Sequence, residues 1–360
     1  MRIILLLTGI FLSTITYAQV SEYSLKEVEE KSLKFLNEFD SNEFPETHLD
    51  LILQHFYDLE TVWNNAYNAG NLADKKVILY YSAIVHYNFG NVYFRLDSMK
   101  NAYTYWNSLA DELVYILTPG WFPLEYNVGE FHYTVHRALI NKIVNGFYGR
   151  FTYVCYQLHK WDDVIKYSDL ALKQDSVTVS DKINNYSIMI AAKVNKGELG
   201  TALLKNLISL MLIAHKTDSA FRKTHSINEN KIYTDVKNLA DTLSRKDDHG
   251  LSYGLVAEAL WDMGRYTEAE KYYQVVSQKV NDYKTSPAGL NEIFFQHAAR
   301  TATWVGNKPL AEWAVKILES VPYYYKNISD LYVAEDIYKY LGKISEAKKI
   351  RRKIEQLKKK

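Results

Sequence analysis

The sequence predicts an all-α protein built from consecutive antiparallel helical hairpins, and three observations lead there. Only 6 prolines and 15 glycines interrupt 360 residues that are 48% hydrophobic, so few breakers stand in the way of long helices. A single cysteine, Cys155, cannot form an intramolecular disulfide, which leaves packing to hold the fold. A short unit also recurs along the chain. It is a helix ending in glycine or a polar residue, then a polar and an aromatic or apolar residue, then a small residue opening a second helix.

The clearest copy runs from Tyr253 to Tyr273. Gly264 supplies the left-handed conformation that stops the first helix, Tyr266 fills the seam, and Ala269 lets the two helices approach. Gly306 with Pro309 and Ala311 repeats the plan, as does Gly342 with Ile344 and Ala347. Pro309 is tolerated because the first helical turn has no donor to lose. Weaker copies stand at Leu96–Ala102, at His159–Val164 and at Lys196–Ala202.

Turn residues 264, 306 and 342 lie 42 and 36 apart. This spacing, with the pattern Ala257, Gly264, Tyr266, Ala269 and upstream Gly90, Tyr93, Ala102, Trp106, resembles the tetratricopeptide repeat. The resemblance covers residues 80 to 360 and is strongest after 250. It implies a right-handed superhelix of hairpins, an α-solenoid over residues 81–344, irregular in its first half. The interval from turn 97 to turn 159 and that from 197 to 264 are too long for one repeat. Helices over Tyr126–Tyr148 and Asn228–Leu243 are expected there, with Thr118–Pro123 as a connecting turn.

The termini read differently. Arg2, the apolar run Ile3–Leu12 and the small residues before Gln19 form a secretory signal over 1–18, so the chain is expected to be exported to the periplasm or the cell exterior. Residues 19–80 form a helical cap, with apolar residues at helical spacing over Ser24–Phe39 and Leu51–Tyr67. The basic segment 345–360 places Ala347, Ile350, Ile354 and Leu357 between lysines and arginines, as expected of a terminal capping helix with a solvated outer face. Weak contact with an anionic membrane surface is the sharper alternative.

Chemistry is tested by motif. Charge is balanced, 43 basic against 42 acidic residues, which argues against nucleic acid as a partner. No phosphate-binding glycine run, dinucleotide fingerprint or serine-hydrolase elbow is present, so neither a cofactor nor a catalytic residue is assigned. His132 and His136 would share one face of a helix near Glu130, but Tyr133 stands where a zinc peptidase needs its base and no third ligand appears; no metal is expected. In Lys246–His249 the acidic pair is expected to cap the following helix. Cys155 reads as a packed apolar residue.

The resemblance puts the first helix of each hairpin on the concave face. Carried onto this sequence, the groove positions are Tyr87, Asn91, Phe94 and Arg95, then Tyr153, Tyr156 and Gln157. Later ones are Glu258 and Trp261, then Gln296, Arg300 and Trp304. Aromatics and amides together suit a peptide or glycan. The expected function is a non-catalytic scaffold for a protein or peptide partner. The alternatives are an all-helical polysaccharide-acting enzyme and the sensory region of an envelope signalling system.

Overall fold

The computed structural model describes residues 75–128, 131–135, 137–174, 177–246, 250–287, 289–321 and 328–358. The expected signal, the two cap helices, His136 and residues 247–249 lie outside them. The chain divides into two compact units, one ending at Ser176 and one running Val177–Lys360.

The first unit contains α1 (Lys75–Arg95), α2 (Met99–Ile116), β1 (Leu124–Val128), β2 (Phe131–Val135), α3 (Ala138–Gln157) and α4 (Trp161–Leu172). The second contains α5 (Val179–Asn195), α6 (Thr201–Lys216), α7 (Ser219–Thr224), α8 (Glu229–Ser244), α9 (Leu251–Asp262), α10 (Tyr266–Ser277), α11 (Glu292–Val305), α12 (Lys308–Glu319), α13 (Ile328–Tyr340) and α14 (Ile344–Lys358). The fold class is all-α, with one two-stranded hairpin as the exception among the described residues.

One turn builds the helix pairs. Asp97, His159, Gly197, Gly264, Gly306 and Gly342 all have positive φ, between 55° and 85°. After each, the next residue donates its backbone N–H to the carbonyl five residues back: Ser98 to Tyr93, Lys160 to Cys155, Glu198 to Lys193, Arg265 to Leu260, Asn307 to Ala302 and Lys343 to Tyr338, all at 2.8–2.9 Å. This is the Schellman closure, which satisfies helix-end carbonyls and reverses the chain within two residues. Ser226, with φ 53°, makes a seventh, its neighbour Ile227 bonding to Arg222.

Five residues after the turn comes a buried residue of the second helix: Ala102, Val164, Ala269, Ala311 and Ala347. The copy at Gly197 departs from this. Two extra residues, Leu199 and Gly200, precede α6, so Leu204 is buried and Ala202 is exposed.

In the first unit α1 packs on α2 and α3 on α4, with α3 also touching α1 and α2. Its core is aromatic. Trp106 lies edge-on to Phe147 and Phe151, each 6.1 Å away, and Phe151 continues to Tyr167 at 4.6 Å. Gly90 makes room for this, since a Cβ there would occupy the Trp106 indole, whose N–H donates to the Tyr87 carbonyl at 3.2 Å.

The long interval before turn 159 holds the antiparallel pair β1–β2, Tyr126 facing Tyr133. This overturns the helix expected from Tyr126 and the shared helical face for His132 and His136. Tyr126 and Val128, then Phe131, Tyr133 and Val135, alternate with period two in β-favouring residues, a signal that outweighs helical spacing over so short a run. The helix begins only at Ala138.

In the second unit the pairs α5/α6, α9/α10, α11/α12 and α13/α14 each close on themselves, and α9, α11 and α13 touch in succession. The interval before turn 264 holds α7 and α8. The latter matches the expected helix to within a residue at each end and packs on α6 and α9. Its start is capped by Asn228, whose side chain accepts from the Lys231 N–H at 3.0 Å. Many of the buried contacts here are small, including Ala257, Ala298, Ala299, Ala302, Ala311 and Ala314, all fully buried. The last helix turns Ala347, Ile350 and Ile354 inward and leaves Lys348, Lys349, Arg351, Arg352 and Lys358 exposed.

Candidate partner-binding faces of the first helices

The groove positions fall at fixed distances before each turn, so the shared turn geometry decides what each side chain meets. In the second unit α9 and α11 bring together Glu258, Trp261 and His297, with Arg300 and Trp304 further along α11. His297 lies flat on Trp261, ring centroids 3.6 Å apart and planes within 9°, and its Nδ1 is 2.9 Å from a Glu258 oxygen. The other Glu258 oxygen accepts from the Tyr273 hydroxyl at 2.7 Å. Burial first, and then Glu258, push the Tyr273 hydroxyl well above the ordinary tyrosine range, so it stays a donor.

From this anchored centre an aromatic strip runs outward. Tyr266, the first residue of α10, stands edge-on to Trp261 at 6.0 Å and edge-on to Trp304 at 4.7 Å. Trp304 is 56% exposed, an unusual cost for an indole unless something covers it. Arg300, one helical turn away, is also exposed. At the edge of the strip Asp262 has its carboxyl held above the usual range by partial burial and by Glu258, against the opposing pull of His297 and Lys216.

The first unit presents a smaller face. Phe94 and Tyr153 meet edge-on at 6.1 Å, and Tyr156 meets Trp161 at 5.7 Å. Tyr153 is 40% exposed, while Phe94, Arg95 and Tyr156 are half-buried and Gln157 is exposed. Tyr87 and Asn91 are buried, and so offer no surface to a partner in this arrangement. The reason is local: Gly146 on α3 lets the Tyr87 hydroxyl approach to within 2.5 Å of where a Cβ would be, and Arg150 donates to Asn91 Oδ1 at 3.1 Å.

That last bond belongs to a set which the sequence did not disclose. Arg150 to Asn91, Glu258 with His297, and Gln296 to Asp330 at 2.6 Å each tie the first helix of one pair to the first helix of the next. Glu258 and Gln296, expected to face a ligand, are thus partly engaged in holding neighbouring pairs together. The partners are 34 to 59 residues apart, so only the common distance from the turn could have suggested them.

Two potential nucleophiles, Ser82 and Cys155, stand in the first unit. Ser82, His86 and Glu112 converge between α1 and α2, but the serine hydroxyl donates directly to Glu112, and His86 Nδ1 faces both Glu112 oxygens at 3.0 and 3.1 Å. A nucleophilic relay needs the serine on one ring nitrogen and the acid on the other. Here a single nitrogen serves both, which makes a clamp between helices. Cys155 is fully buried, and burial pushes its thiol far above the range in which a thiolate forms. Among the described residues no three His, Cys, Asp or Glu side chains gather as a metal site, and no helix is long and apolar enough to cross a membrane.

No protein-family model matches the chain, and no curated protein matches it either.

Proposed function

We propose that this chain is an exported, non-catalytic scaffold of the tetratricopeptide kind, whose helix pairs follow one another in a solenoid and whose first helices bind a protein or peptide partner. The observation that carries the reading is the strip Trp261–Tyr266–Trp304, held from beneath by the Glu258–His297 pair and left open at Trp304. Aromatic rings fixed in position, with an arginine beside them, are the side chains that dominate binding energy at protein interfaces. Export rests on residues 1–18 and is tested by fractionating cells that express the full chain. Recovery of an unprocessed protein from the cytoplasm would contradict it.

The binding reading is tested by selecting peptides from a random library on the protein and measuring their affinity by fluorescence anisotropy. Trp304→Ala should weaken the selected peptides by about 2 kcal/mol, some 30-fold. Trp304 lies at the surface, so the variant keeps its fold. Peptides bound equally well by both proteins would remove the strip from the function.

A further inference from the structure

The first unit holds a cleft that the groove does not include. It has a volume of about 360 Å³ and opens between the end of α2 and the faces of α3 and α4. Leu113, Val114, Leu117, Tyr148 and Leu170 give it an apolar wall, and among the described residues Lys166 is the one charged side chain lining it. Val114, at the mouth, is 63% exposed, and its neighbour Tyr115 is 60% exposed.

Among the described residues Lys166 pairs with no carboxylate. Its ammonium lies 4.8 Å above the Tyr167 ring and 3.4 Å from the Tyr167 hydroxyl, while Asp169, one turn along α4, is taken by Lys173 at 2.5 Å. The cleft therefore offers an apolar body and a single cationic end. A protein partner would need some 800 Å² of surface with several anchors. A space of this volume, within the range of small-ligand pockets, instead suits one narrow molecule.

We propose that this cleft binds a linear carboxylate amphiphile, a fatty acid of about eight to ten carbons, with its chain against Val114, Leu117 and Leu170 and its carboxylate at Lys166. The apolar chain supplies most of the affinity. The charge pair adds little, because Lys166 is solvent-exposed and because Asp111 and Asp163 act through space on the adjoining Tyr167. This site is separate from the aromatic strip and does not rest on the peptide-binding reading.

The test is a titration of the full chain with hexanoate, octanoate, decanoate and dodecanoate, beside decylamine, read by calorimetry. Affinity should rise about two- to fourfold per added methylene and level off near decanoate, as expected for burial in a cleft of fixed length. Decanoate should bind more tightly than decylamine. Lys166→Gln should weaken decanoate about threefold and narrow that gap, and Val114→Glu, at an exposed position, should weaken decanoate at least tenfold. Trp304→Ala should leave all of these values unchanged. Affinity independent of chain length, tighter binding of the amine, or indifference to Val114→Glu would each overturn the proposal.

Discussion

The two units use the same turn but differ in what fills the space between helices, since the second buries Tyr273, Phe294 and Phe295 yet adds a run of buried alanines between its first helices. In the first, two of the turn positions carry ordinary residues, Asp97 and His159, and the helices are held apart by Trp106, Phe147 and Phe151. In the second, the four turns that close helix pairs are glycines at 197, 264, 306 and 342, with Ser226 at the turn after the short α7, and buried alanines bring the helices of successive pairs together. The separation of packed helices follows the side chains at the contact. The aromatic unit should therefore suffer most from truncation and the alanine unit from enlargement.

The largest expected effect is on the aromatic side. Trp106→Ala should cost about 3–5 kcal/mol in urea unfolding followed by circular dichroism, since a fully buried indole leaves a cavity among rings. In the alanine unit the opposite change matters: Ala299→Leu, at a fully buried contact, should cost about 1–3 kcal/mol by overpacking. Equal tolerance of enlargement in both units would break the comparison.

The turns give a smaller effect with opposite signs. Gly264→Ala forces a Cβ into the left-handed region at φ 72° and should cost about 1–2 kcal/mol. His159→Gly relieves the same strain but adds freedom to the unfolded chain, so stability should be unchanged or higher by up to about 1 kcal/mol. Loss of stability in His159→Gly would mean that the imidazole contributes through its contact with Trp161, 5.0 Å away.

The smallest effect is electrostatic and confined to the second unit. Arg265, in the turn after α9, grips Glu268 with two bonds of 2.7 Å and covers the Tyr233 ring at 4.3 Å. The arginine bonds hold the Glu268 carboxyl below its usual range. A depressed folded value means stabilisation that is present above the ordinary glutamate range and lost as pH falls through the lowered one. Glu268→Gln should thus lower the melting temperature slightly at neutral pH, and the deficit should close in acid. Partial exposure keeps it small.

How much of this was legible follows from what each feature depends on. Turns and second helices depend on residues within a few positions, so Gly264, Gly306 and Gly342 marked them directly, and Asp97 and His159 were found by spacing. A two-residue insertion misled the reading at Gly197, where Leu204 took the place given to Ala202. The β1–β2 hairpin was missed because a run of twelve residues carries both periods. In the candidate site, Trp261, Arg300 and Trp304 come from the repeat resemblance, which assigns the first helix of each hairpin to the concave face. The burial of Tyr87 depends on Gly146, and that of Asn91 on Arg150, on another helix in each case, which no local pattern reveals.

The central claim is that one hydrogen-bonded turn, repeated, closes six helix pairs among the described residues, and amide hydrogen exchange tests it most directly. Ser98, Lys160, Glu198, Arg265, Asn307 and Lys343 sit in what would otherwise be loops, yet each amide closes a bond to the preceding helix. The account predicts that all six exchange slowly, in step with the helices they terminate. Exchange of these amides at the rates of an open loop, while the flanking helices stay protected, would contradict it.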